Sequence, residues 1–120
     1  MLSKREVPTA EAYTKALQSI ESKITAKQKQ MLLFHYQSHN RTATFTELAN
    51  HVGYSSYRGA NLQYGKLADM LANELGFDVS ALYFRSNIIG TEFLTSLASG
   101  DFELIMHHEL AKALEKLGWE

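Results

Sequence analysis

The stretch Thr44–Met70, TFTELANHVGYSSYRGANLQYGKLADM, decides the reading of this chain. Thr44 and Glu47 stand at capping-box spacing, so a short helix starts there. Phe45, Leu48, Ala49 and Val52 supply its inner face. Gly53 suits the left-handed position that ends a helix. Ser55 is placed to cap a longer helix, which runs to about Leu75 before Gly76 stops it and Phe77 folds back. A short helix, a tight glycine turn and a longer helix make a helix-turn-helix, whose second helix commonly enters the major groove of DNA. The same pattern also builds purely structural helix pairs.

Two helices are expected before this stretch. Residues 1–8 read as a loose, flexible N-terminus, and Pro8 and Thr9 then open the first helix. Tyr13, Ala16, Leu17, Ile20 and Ile24 recur at helical spacing along it. Thr25 and Gln28 form a second capping box, starting a helix that carries Met31, Leu32, Phe34, His35 and Tyr36 and ends near Ser38–Arg41. After Gly76 the pattern changes. ALYFR, TEFLTSLA and DFELIM are short, aromatic and β-branched, and Phe102, Leu104 and Met106 alternate along one side. These predict a small antiparallel hairpin or a three-stranded edge. A last helix over His107–Leu117 presents Leu110, Ala113, Leu114 and Leu117, with Gly118 as its stop and Trp119 tucked beneath. Helices followed by a hairpin give a mainly α, α+β fold: one winged helix-turn-helix-like domain over residues 9–120, with a C-terminal helix.

Composition sets the outer bounds. The chain has 120 residues, 45% of them hydrophobic and 21% charged, which suits one packed domain. There is no apolar run of membrane-spanning length and no signal-peptide pattern at the N-terminus. Cysteine is absent, which excludes disulfides, thiolate metal sites and cysteine nucleophiles and fits a cytoplasmic location. The net charge is only −1, yet residues 1–66 carry +5 and residues 67–120 carry −6. A basic part holding the helix-turn-helix is compatible with one face toward phosphate, unless the charges intermix in space.

On the longer helix, Tyr57, Ala60, Asn61, Tyr64, Leu67, Ala68, Leu71 and Leu75 share one side and form the expected core face. Arg58, Gly59, Leu62, Gln63, Lys66, Asp69 and Met70 lie opposite. The early outward residues Ser55, Ser56, Arg58, Gln63 and Lys66 are therefore the candidate DNA contacts. Arg58 is chemically suited to guanine and Gln63 to adenine. Lys66 and the serine hydroxyls suit phosphate. Each has a plainer use, the serines as caps and the cations as solvated charges. Gly59 and Gly65 are costly within a helix, by about 1 kcal/mol each, and call for a close backbone approach. Gly59 is expected to serve the outer approach and Gly65 the helix packing.

MLLFHY, ELANHVGY, ANLQYGKLA and the ending FELIMHHELAKALEKLGW together resemble a segment of bacterial proteins related to HNH endonucleases and restriction-type defence enzymes. There it forms a small module preceding the nuclease. The resemblance spans roughly residues 30–119 and implies a winged-helix-like, nucleic-acid-binding accessory module. It does not imply nuclease activity, since no HNH histidine and asparagine set in a ββα context is present.

Other chemistry is weakly signalled. His35 and His39 have i, i+4 spacing, but Tyr36 replaces the glutamate of H-E-x-x-H and no third ligand is evident. Gly59 to Gly65-Lys66 is one residue too long for a phosphate loop, and Leu67 stands where its Ser or Thr belongs. The expectation is a non-catalytic module without metal or cofactor. Its partner is nucleic acid, chiefly duplex DNA. The competing expectation is a protein-interaction or assembly module, motivated by the C-terminal acidic residues and by Leu62 and Met70 on the outer side.

Overall fold

The computed structural model describes residues 7–77, 85–96 and 101–119. Thr9 caps α1 (Ala10–Ile20), its hydroxyl accepting from the Ala12 amide at 3.1 Å. Tyr13, Ala16, Leu17 and Ile20 of α1 are buried as the spacing predicts, whereas Ile24 lies past a 3₁₀ turn and is half-buried. In α2 (Ala26–Gln37) both bonds of the Thr25–Gln28 capping box form, at 2.9 and 3.1 Å. A further 3₁₀ turn, His39–Arg41, leads into β1 (Thr42–Thr44).

The decisive stretch folds largely as its residues dictate. Thr44 and Glu47 make both capping-box bonds at the start of α3 (Phe45–Val52). Gly53 then adopts φ 84°, the left-handed stop, and its amide donates to the last-turn carbonyls of Ala49 and Asn50. The following helix, α4 (Tyr57–Leu75), ends the same way at Gly76, with the Phe77 amide donating to Ala72 O at 2.9 Å. Its cap is Ser56 rather than Ser55: the Ser56 hydroxyl accepts from the Arg58 amide at 3.3 Å.

The remaining elements are β2 (Gly90–Ser96), β3 (Asp101–Met106) and α5 (His108–Leu117), which starts one residue later than expected. The sheet is antiparallel in the order β1-β3-β2. Leu104 stands at its centre, opposite Ala43 on one side and Glu92 on the other. The third strand thus comes from Thr42–Thr44. The ALYFR run expected as a strand lies outside the described residues up to Phe84, and Arg85 opens a 3₁₀ turn, Arg85–Ile88. Three residues are too few to show a strand period, so β1 was not legible. Gly90 is demanded by the pairing, since a Cβ there would stand 2.2 Å from Ile105 O.

One hydrophobic cluster joins all of these layers. Tyr13 and Leu17 of α1, Met31 and Leu32 of α2, Leu48 of α3 and Tyr64 and Leu67 of α4 meet Ile88, Leu104 and Leu114 in it. Trp119 is buried against it, its amide donating to Leu114 O at 3.1 Å. Glu109 of α5 accepts from the Ala10 amide at 3.2 Å, tying the first helix to the last. The described elements make a mainly helical α+β fold in the order α2-β1-α3-α4-β2-β3, with β3 central in the sheet and α1 and α5 at either end. Among the described residues no helix is long and apolar enough to cross a membrane.

Candidate nucleic-acid interface

The rotational setting of α4 is fixed from below by buried polar bonds. His35 of α2 is fully buried, its Nε2 2.7 Å from Leu104 O and its Nδ1 2.8 Å from the Tyr64 hydroxyl. A carbonyl only accepts, so Nε2 carries the proton and Nδ1 accepts from Tyr64. Burial favours this neutral form, pushing the His35 pKa down to about 4. Burial also holds the Tyr64 hydroxyl well above its usual range, so it keeps the proton it donates. These two bonds link α2, α4 and β3. Two turns earlier on α2, buried Gln28 donates from Nε2 to Gln63 O at 3.2 Å, with Gln63 Oε1 at 3.5 Å.

With its inner side held this way, α4 leaves one side open over Tyr57–Lys66, its first three turns. Tyr57, Arg58, Asn61, Leu62 and Lys66 are exposed, and Tyr57 and Leu62 are 50% and 53% accessible. Beyond Lys66, Asp69 and Met70 are half-buried, and Asn73 and Glu74 are exposed again near the end of the helix. Met70 packs on the core cluster instead of standing free. Arg58, Asn61, Leu62 and Lys66 fall within about 140° of arc and about 12 Å of helix length.

The five candidates do not stay together. Ser55, Ser56, Arg58 and Lys66 are exposed, and Ser56 spends its acceptor on the cap. Gln63 is half-buried and turned toward Gln28 of α2, which removes it from the outer set. Tyr57 and Asn61 were expected on the core face and are exposed. Tyr57 shares the direction of buried Tyr64 to within about 20°, but it stands in the first turn, where nothing covers it. Asn61 lies at the edge of the buried stripe rather than inside it. Gly59 also departs from expectation. Its close neighbour is internal: a Cβ there would meet the Tyr54 ring at 3.0 Å. Gly65 is buried, in line with packing.

Electrostatics adds a residue that the linear sequence did not flag. The Lys27 ammonium of α2 lies 4.8 Å from the centroid of the Tyr54 ring, and that ring packs on Gly59 of α4. Lys27 therefore adjoins the start of α4. Lys15, Lys29, Arg41 and Lys112 are paired with Glu11, Glu21, Glu115 and Glu109 at 3.6–3.8 Å. Lys27, Arg58 and Lys66 have no carboxylate within 4 Å among the described residues. The basic and acidic parts of the sequence do intermix elsewhere, as Arg41–Glu115 shows.

The histidines have other employment. His39 is exposed in the 3₁₀ turn while His35 uses both ring nitrogens internally, so the two do not form a chelating pair. His107 precedes α5 and its Nε2 lies 2.7 Å from Asn87 O, with burial lowering its pKa. No family model, curated protein or solved structure matches the chain.

Proposed function

We propose that this chain is a non-catalytic module that binds double-stranded DNA through the open side of the first three turns of α4. The observation that carries the reading is the position of Arg58 and Lys66. Both are exposed and unpaired among the described residues, on the second helix of a helix-turn-helix whose sheet has winged-helix order. Lys27 extends the basic character to the turn before that helix. The resemblance of ELANHVGY and ANLQYGKLA to modules preceding HNH nucleases supports a role beside a restriction or defence nuclease.

Fluorescence anisotropy with labelled duplex DNA at low salt tests this. Arg58→Ala and Lys66→Ala are each expected to weaken binding at least about fivefold. Both positions are exposed, so stability to urea should stay within about 0.5 kcal/mol of the parent. Absence of duplex binding at low salt would refute the proposal.

A second reading draws on the 50% and 53% accessibility of Tyr57 and Leu62. Exposed apolar side chains on one helix also suit docking onto a partner enzyme. In that case Leu62→Asp should abolish partner capture while Arg58→Ala leaves it unchanged.

A further inference from the structure

We infer that Asn61 and Leu62 read an A·T step in the major groove, Asn61 through the adenine edge and Leu62 through the thymine methyl. The inference rests on the DNA-binding reading above and names the bases that the same surface selects.

Asn61 and Leu62 are both exposed, and neither side chain has a hydrogen bond or ion pair among the described residues. Arg58 lies one turn before Leu62 and Lys66 one turn after it. An apolar group between two unpaired cations fits a ligand that is anionic at its rims and carries apolar groups on its floor. A major groove has that form, with phosphates along the edges and thymine methyls below. The neighbouring Asn61 amide adds a group suited to a base edge. It presents one donor and one acceptor, the complement of adenine N7 and N6. Consecutive residues diverge by about 100°, so the two side chains address adjoining base pairs instead of competing for one. Their directions are held by Gln28 on Gln63 and His35 on Tyr64, the two residues that follow them. A helix fixed in rotation can discriminate between bases, whereas a freely rolling one reads only charge.

The test compares short alternating duplexes of dA-dT, dA-dU and dG-dC at one salt concentration, by anisotropy. The dT-to-dU change removes only the methyl. The parent protein should bind dA-dT about fourfold more tightly than dA-dU, the effect of one buried methyl. It should prefer dA-dT to dG-dC by about tenfold or more. Leu62→Ala should bind dA-dT and dA-dU equally, and Asn61→Ala should lose most of the preference over dG-dC. Both positions are exposed on a helix, and circular dichroism is the check that the variants fold. Equal affinity of the parent for dA-dT and dA-dU overturns the inference and leaves salt-sensitive duplex binding standing. Failure to bind any of the three duplexes at low salt overturns the DNA reading itself.

Discussion

At the scale of single residues, His35 connects the core to the exposed helix face. It donates to β3 with one nitrogen and accepts from Tyr64 with the other in the neutral form that burial favours. The unfolded chain binds a proton at this residue near pH 6.5, the folded chain only near pH 4. Between these values the unfolded state carries more protons, so acid favours it. The stabilisation is complete above about pH 6.5, falls as the pH drops, and is lost by about pH 4, an effect of roughly 3 kcal/mol. Burial depresses His107 in the same direction, so it adds to the loss of stability as the pH falls. His35→Gln should flatten the dependence of the urea midpoint on pH between 4 and 6.5 (the window set by the shift) without abolishing it. An unchanged slope in that variant would show that His35 is not the titrating group. The sequence showed His35 on the inner run of α2 but not this role, because neither partner is near it in the chain. Tyr64 and Leu104 are 29 and 69 residues away.

Single elements were legible wherever local chemistry suffices to define them. Both capping boxes and the stops at Gly53, Gly76 and Gly118 fall where the residues placed them. The losses occur where another element decides. Thr42–Thr44 is a strand only because β3 pairs with it. Gly59 is needed only because Tyr54 folds onto it. The exposure of the inner side of α4 at its start follows from what packs around it, so the projected stripe misplaced Tyr57 and Asn61. Two substitutions separate these kinds of determination. Thr44→Ala removes one local cap and should lower stability by about 1 kcal/mol. Gly90→Ala sets a methyl against the Ile105 carbonyl, so β2 must move from β3, at a cost of at least about 2 kcal/mol. Urea titration ranks them. A Gly90→Ala variant as stable as the parent would mean that the β2–β3 register is not the one described.

For the molecule as a whole, charge placement matters more than charge total. A net charge of −1 gives no general attraction to DNA, and Lys15, Lys29 and Arg41 are spent on carboxylates within the fold. Binding therefore rests on a few local cations, with acidic surface elsewhere acting against it. Lys27, Arg58 and Lys66 are the cations without such a partner around the start of α4. If each neutralises one phosphate, the logarithm of the association constant should fall against the logarithm of salt concentration with a slope of about −2.7. Replacing any one of the three by alanine should reduce the magnitude of that slope by about 0.9. Lys112→Ala, at a site already paired with Glu109, should leave it unchanged. A titration series from low to physiological salt measures all four variants and the parent. A parent slope near zero, or one that Lys112→Ala reduces as much as Lys66→Ala, would remove the start of α4 as the place where DNA is held.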